Sequence, residues 1–176
     1  MQKIKKLIGK SVIQKKIEVL AKQISRDYRS KDLVLVGILK GAVVFLSDII
    51  RNVSIPVSID FIQLSSYGAS TTSSGVIKIK KDLDHHVKGR HLLVIEDIID
   101  CGYTLDFLLK HLSKRKPASL AVCVLLDKTA RRKVKVPVKY RGFEVPDKFI
   151  VGYGLDFKEK WRNLPYIGFI SPETRA

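Results

Sequence analysis

Leu92-Leu93-Val94-Ile95-Glu96-Asp97-Ile98-Ile99-Asp100-Cys101-Gly102-Tyr103-Thr104 decides the fold. Four apolar residues lead into two adjacent carboxylates, two more apolar residues, a third carboxylate and a Gly-x-Thr turn. Leu105, Leu108, Leu109 and Leu112 then recur at helical spacing, so the segment reads as strand, acidic loop and helix. A buried parallel strand accounts for Leu92 to Ile95. Nothing about a strand end calls for three carboxylates. In open α/β sheets ligands bind beyond the carboxyl ends of the strands, which is where Glu96, Asp97 and Asp100 are expected.

Each part of the segment has a chemical use. Adjacent carboxylates accept hydrogen bonds from a vicinal diol, such as the 2′ and 3′ hydroxyls of a ribose. The turn from Asp100 to Thr104 enters a helix whose first amides lack internal partners and carry partial positive charge. A phosphate suits that place, with Gly102 permitting close approach and the Thr104 hydroxyl donating. The segment thus offers a ribose site beside a monophosphate site, with a spare carboxylate between them. The competing view is a capped helix behind an acidic loop.

Working outward, Ser11 with Gln14 resembles a capping box, and Ile13, Ile17, Leu20, Ile24 and Tyr28 trace one helix face. Leu33 to Leu39 reads as a buried strand and Gly41 to Arg51 as a second helix. Val57 to Leu64 alternates like a strand with one face on the core, and Val76 to Ile79 is a short strand after a polar loop. Leu92 to Ile95, the helix from Thr104, and Leu120 to Leu126 continue the alternation. That pattern predicts an α/β protein whose parallel sheet is covered by helices on both faces. At 176 residues with no repeat or linker, residues 1–176 are expected to form one domain.

Composition removes several functional classes. No apolar run approaches the roughly 18 residues of a membrane span. Met1-Gln2-Lys3-Ile4-Lys5-Lys6 lacks the apolar core of a signal peptide, and two cysteines, Cys101 and Cys123, make no disulfide framework. A reducing cytoplasm is expected. The net charge of +16 is the outlier, with lysines and arginines densest at Lys3 to Lys16, Lys78 to Lys81, Lys110 to Lys116 and Lys128 to Arg141. Such charge attracts polyanions, but few aromatics interleave it, so any nucleic-acid binding is expected to be non-specific.

Three more segments narrow the reading: Leu39-Lys40-Gly41 after a strand, Ser66-Tyr67 opening a small-residue loop, and Asp147-Lys148-Phe149-Ile150-Val151-Gly152-Tyr153-Gly154-Leu155-Asp156 followed by Arg162. With the acidic segment, which resembles the phosphoribosyl-diphosphate (PRPP) motif, they resemble the 6-oxopurine branch of the type I phosphoribosyltransferases, the hypoxanthine-guanine phosphoribosyltransferase family, from near the start to about Ser171. The resemblance implies a mostly parallel twisted sheet, a small hood built from the N-terminal segment and about 136–176, and a mobile lid over about 66–75 that includes Ser66 and Tyr67. It implies purine salvage: transfer of the phosphoribosyl group of PRPP to N9 of hypoxanthine or guanine, giving IMP or GMP and pyrophosphate, with Mg2+ and a dimeric or tetrameric assembly. The alternatives are a xanthine-guanine preference and an RNA-binding regulator on the same fold.

The residues carry individual expectations. Asp100 is the candidate for accepting the purine N7 proton, with helix capping as its competitor. Lys128 follows a buried strand. Its ammonium donates only, so it bonds a 6-oxo group and opposes a 6-amino group, unless it is one more surface lysine. By resemblance Phe149 stacks on the purine, Ile150 and Asp156 face its 2-position through main-chain groups, Asp156 coordinates Mg2+, Arg162 binds pyrophosphate, and Leu39, Lys40 and Gly41 offer amides to the diphosphate across a cis Leu39–Lys40 bond. Glu96, Asp97, Asp100, Cys101, Gly102, Tyr103 and Thr104 would hold the ribose and 5′-phosphate. Two of these depart from the family: Cys101 replaces a hydroxyl, read first as a quiet substitute for serine and second as a thiol at a helix start whose oxidation would block the pocket, whereas bulky Tyr103 would contribute its backbone amide. Three other signals lead nowhere. Gly9-Lys10-Ser11 lacks the upstream glycine of a P-loop and no strand is expected before it, Asp82, Asp84, His85 and His86 fit a polar turn, and His91 and His111 have no evident partners.

Overall fold

A computed structural model describes residues 3–66 and 77–171. In chain order its elements are β1 (Ile4–Ile8), α1 (Lys10–Asp27), β2 (Leu33–Leu39), α2 (Val43–Asn52), β3 (Ser58–Ser66), β4 (Ile77–Lys81), β5 (His91–Ile99), α3 (Tyr103–Ser113), β6 (Ser119–Asp127), β7 (Val138–Glu144), β8 (Ile150–Val151) and β9 (Ile167–Ile170). Six strands form one sheet in the order β4-β3-β2-β5-β6-β7, and a second sheet runs β1-β9-β8. In the large sheet β4 alone is antiparallel to its neighbour.

Helices on both faces explain why the central strands are uninterrupted apolar runs. Leu33, Leu35, Leu93, Ile95, Cys123 and Leu125 pack with Ile13, Ile17, Leu20 and Ile24 of α1 and Phe45, Leu46 and Ile49 of α2. Their neighbours Val34, Val36, Leu92, Val94, Val122 and Val124 turn to Leu105, Leu108 and Leu112 of α3. Leu92 to Ile95 are all fully buried. At roughly 1.5–3 kcal/mol for each such side chain, this anchor outweighs the several kcal/mol that a buried carboxylate costs. β5 can therefore carry acidic residues at its end.

Several boundaries differ from expectation. β5 continues to Ile99, because its ladder with β6 runs on through Ile99 and Asp127. Glu96 and Asp97 are strand residues, and only Asp100 opens the turn. α1 begins at Lys10 behind Gly9 with no side-chain cap, so Ser11 and Gln14 form no capping box; Gln14 Nε2 donates instead to Asp48 Oδ2 at 2.9 Å. β1 does precede Gly9. Val138 to Glu144, expected in the hood, is the edge strand of the large sheet, held parallel to β6. His91 and His111 have partners: Ser119 Oγ at 2.7 Å and Asp82 Oδ2 at 3.0 Å. Of the expected lid, Ser66 ends β3, and Tyr67 to Gly75 lie outside the described residues.

Candidate active site

The site grows from the C-terminal edge of the parallel strands. Glu96 and Asp97 are both less than a tenth exposed. Burial, and after it the neighbouring Asp97 charge, pushes the Glu96 carboxyl well above the usual range. Protonation of Glu96 is thereby favoured relative to an exposed glutamate. The Asp97 amide donates to Glu96 Oε1 at 3.3 Å, and the Ile98 amide to Asp97 Oδ1 at 2.7 Å.

At the following turn, the residue capping α3 is Gly102, at φ 93 and with no side-chain hydrogen bond. Asp100 is therefore not the helix cap. A Cβ at Gly102 would lie 2.9 Å from the Val134 carbonyl oxygen, so glycine is demanded twice, by the left-handed backbone and by the close neighbour. The Lys133 and Val134 amides donate to the Cys101 carbonyl at 2.9 and 3.1 Å, clamping the turn from behind. Tyr103 is exposed, its bulk off the cradle. Glu96, Asp97, Asp100, Cys101, Gly102 and Thr104 line a cavity of about 280 Å³.

Two loops close on this edge. The Leu39–Lys40 peptide is cis. A Cβ on Gly41 would fall 1.8 Å from Asp97 Oδ2, and one on Gly154, at φ 101, 2.1 Å from the Gly41 carbonyl oxygen. The two glycines let three backbone segments stack at Asp97. Beyond them Lys40 Nζ pairs with Glu159 Oε2 at 3.0 Å, and Arg162 Nη2 with Asp156 Oδ1 at 2.8 Å. The Glu159 amide donates to Asp156 Oδ2 at 2.9 Å, and Arg162 Nη1 to the Gly154 carbonyl at 2.8 Å. Lys40 holds the Glu159 carboxyl below its usual range, with Arg162 adding to the effect.

A larger cavity of about 500 Å³ shares Asp97 and Asp100 with the first and adds Lys128, Arg131, Asp147, Phe149, Ile150 and Asp156. Lys128 is only 7 % exposed. Its Nζ lies 3.5 Å from Asp100 Oδ2 and 3.8 Å from Asp147 Oδ1, the pairing a buried ammonium needs. It is not a surface lysine. Phe149, 39 % exposed and edge-on to Phe157 at 5.2 Å, stands on the cavity wall, not in the core.

A recessed cation facing carboxylates, next to an amide-rich turn behind a buried acidic pair, is the geometry against which known proteins can be compared. Residues 9–158 match the model of the phosphoribosyl transferase domain. The chain belongs to the phosphoribosyltransferase family, in its hypoxanthine-guanine branch. It is 52 % identical over 165 residues to the hypoxanthine-guanine phosphoribosyltransferase of Dictyostelium discoideum, covering 92 % of each chain. Against the hypoxanthine phosphoribosyltransferase of Haemophilus influenzae it is 48 % identical over 165 residues, again 92 % of each. The crystal structure of a hypoxanthine phosphoribosyltransferase from Staphylococcus aureus superposes with a TM-score of 0.94 at 44 % identity, over 98 % of this chain and 94 % of that one.

Within this phosphoribosyltransferase site, three residues escape a reading of the sequence. Arg131 contacts Asp100 at 2.8 Å and Asp147 at 3.2 Å. Asp147 faces Lys128, and Glu159 joins Lys40 to Arg162. Arg131 sits among many basic residues, and Glu159 is one carboxylate in a charged turn, so neither carries a local signal. Asp147 had one, as the first residue of the Asp147 to Asp156 segment.

Proposed function

We propose that the protein transfers the 5-phosphoribosyl group of PRPP to N9 of hypoxanthine or guanine, releasing pyrophosphate with inversion at C1′ and giving IMP or GMP. The observation that carries this reading is the buried Lys128 ammonium, 3.5 Å from Asp100 on the wall of a cavity that shares Asp97 and Asp100 with the one at the Gly102 turn. In that arrangement Lys128 donates to the 6-oxo oxygen and Phe149 lies along the base. Main chain at Ile150 and Asp156 borders its 2-position. As N9 bonds to C1′ and the C1′–O bond to pyrophosphate breaks, the purine N7 proton passes to Asp100. Glu96 and Asp97 engage the ribose hydroxyls, and the amides from Cys101 to Thr104, with the Thr104 hydroxyl, hold the 5′-phosphate. Leu39, Lys40, Gly41 and Arg162 take the diphosphate.

Among the described residues no cluster of three or more His, Cys, Asp or Glu is placed to hold a metal by itself. That suits Mg2+, which binds through one or two carboxylates, water and substrate phosphates. Asp156 would hold it, and its charge would neutralise the departing diphosphate.

Three contextual readings accompany this. No helix among the described residues is long and apolar enough to cross a membrane, and neither cysteine is in a disulfide; both suit work in a reducing cytoplasm. A dimer or tetramer would cover exposed apolar side chains such as Val12, Val19 and Val43, and light scattering checks it. Contact with nucleic acid is read as non-specific.

Pyrophosphate release from PRPP and Mg2+, assayed with hypoxanthine, guanine, xanthine and adenine separately, tests the function. Turnover with hypoxanthine and guanine but not adenine is expected, and Asp100→Asn should lower it by roughly 10²–10⁴-fold. Silence with all four bases overturns the reading and points to an RNA-binding regulator.

A further inference from the structure

Asp100 is held by two cations, one on each oxygen. Lys128 Nζ lies 3.5 Å from Oδ2, and Arg131 Nε lies 2.8 Å from Oδ1 as an ion pair without a hydrogen bond to that oxygen. The same two cations meet again at Asp147 Oδ1, Arg131 Nη1 at 3.2 Å and Lys128 Nζ at 3.8 Å. The four groups form a closed ring of alternating sign whose formal charge sums to zero. Arg131 reaches it from the short 3-10 turn Thr129–Arg131 directly after Lys128, with its amide donating to the Lys128 carbonyl at 3.0 Å. Its contacts are the shorter at both carboxylates.

A guanidinium bridges two carboxylates through a rigid planar fork, whereas an ammonium is a point charge that rotates freely. Without Arg131, Lys128 would be the sole partner of Asp100 and Asp147 in this ring, and its three N–H donors would be drawn to them. With Arg131 present, Asp147 accepts a hydrogen bond from Nη1 and one carboxylate oxygen of Asp100 faces a second positive charge. The Lys128 ammonium then keeps a donor for an oxo group, and the other Asp100 oxygen keeps a constant direction into the cavity.

We propose that Arg131 is a positioning residue for phosphoribosyl transfer, aiming Asp100 at the purine and sharing Asp147 with Lys128. This rests on the salvage reading above. The role assigned to Arg131 is exerted through the two carboxylates.

The test is a double-mutant cycle on kcat with hypoxanthine, joined to an NMR measurement that needs no turnover. Arg131→Gln should lower kcat roughly 10–100-fold while KM for PRPP changes less than about twofold, because only an orientation used in the transition state is lost. Arg131→Lys should recover only part of the loss, since charge returns without the fork. In an Asp100→Asn background the Arg131→Gln cost should shrink below about twofold. The Arg131 Nε–H resonance should move on Asp100→Asn. An unchanged kcat in Arg131→Gln, a cost that persists in full in the Asp100→Asn background, or an unmoved resonance overturns the inference. A silent wild-type protein would instead overturn the salvage reading, a result separable from all of these.

Discussion

The two cavities beside β5 share Asp97 and Asp100 yet are built on opposite electrostatic plans. In the smaller one the protein supplies buried carboxyls, left without a lysine or arginine partner among the ion pairs of the described residues, and backbone amides at a helix start. In the larger one Lys128 and Arg131 alternate with Asp100 and Asp147. In the proposed reading the first receives a sugar phosphate, because its donors and acceptors belong to rigid backbone and strand. The second can discriminate among bases because its charges are paired until a ligand offers something better. Lone carboxylates suit hydroxyls, whereas a buried ammonium gives chemical selectivity: it has donors only, and an amino group offers it no acceptor.

Mutations can break this contrast. The largest effect is expected for Lys128→Met, which strips the base cavity of its recessed donor. kcat/KM for hypoxanthine and guanine should fall by roughly 10³–10⁴-fold with no gain for adenine, as read by the pyrophosphate assay. If adenine were gained, the ammonium would be excluding it and not merely selecting the oxo group. Next comes Gly41→Ala. Its Cβ cannot coexist with the Asp97 carboxylate at 1.8 Å, so Asp97 must move. A displacement of that order costs about 10²-fold in kcat/KM for PRPP, and equilibrium binding of the base alone should be unaffected.

Smaller effects sharpen the comparison. Asp156→Asn should raise the Mg2+ concentration for half-maximal rate by about tenfold, measured by Mg2+ titration at saturating base; an unchanged curve would move the metal elsewhere. Glu96→Gln should act on stability. Burial holds the Glu96 carboxyl above its usual range in the fold, whereas the unfolded chain ionises it within that range. Its contribution is present below that range and is lost as pH rises through it towards the raised value. Melting curves should therefore show Glu96→Gln matching the wild type near pH 4 and exceeding it at pH 8, by roughly 2–4 °C per kcal/mol relieved. A variant that melts lower at pH 8 would mean that Glu96 is ionised in the fold.

The β5 segment was readable because its signals are local. Leu92 to Ile95 form an apolar run that only a strand covered on both faces needs, and Gly102 occupies a position that admits no side chain. Lys128 could be placed because it follows such a run. The end of the strand was harder to read. Carboxylates normally interrupt strands, and here a ladder to Asp127 carries β5 two residues beyond the pair. β7 was misplaced for a related reason: Val138 to Glu144 is an edge strand, rich in charge and only partly buried, so its composition resembles a loop.

The sequence by itself determined the order of the elements from α1 to β6, the acidic pair, the glycine turn before α3 and the lysine behind a strand, since each depends on residues within a few positions of one another. Tertiary structure alone decided that burial raises the Glu96 carboxyl, that Gly41 exists to admit Asp97, and that Arg131 closes a ring with Asp100, Asp147 and Lys128. Burial and ion pairing are properties of the space between segments, and residues 41, 97, 131 and 147 become neighbours only when the sheet brings its strand ends to one edge.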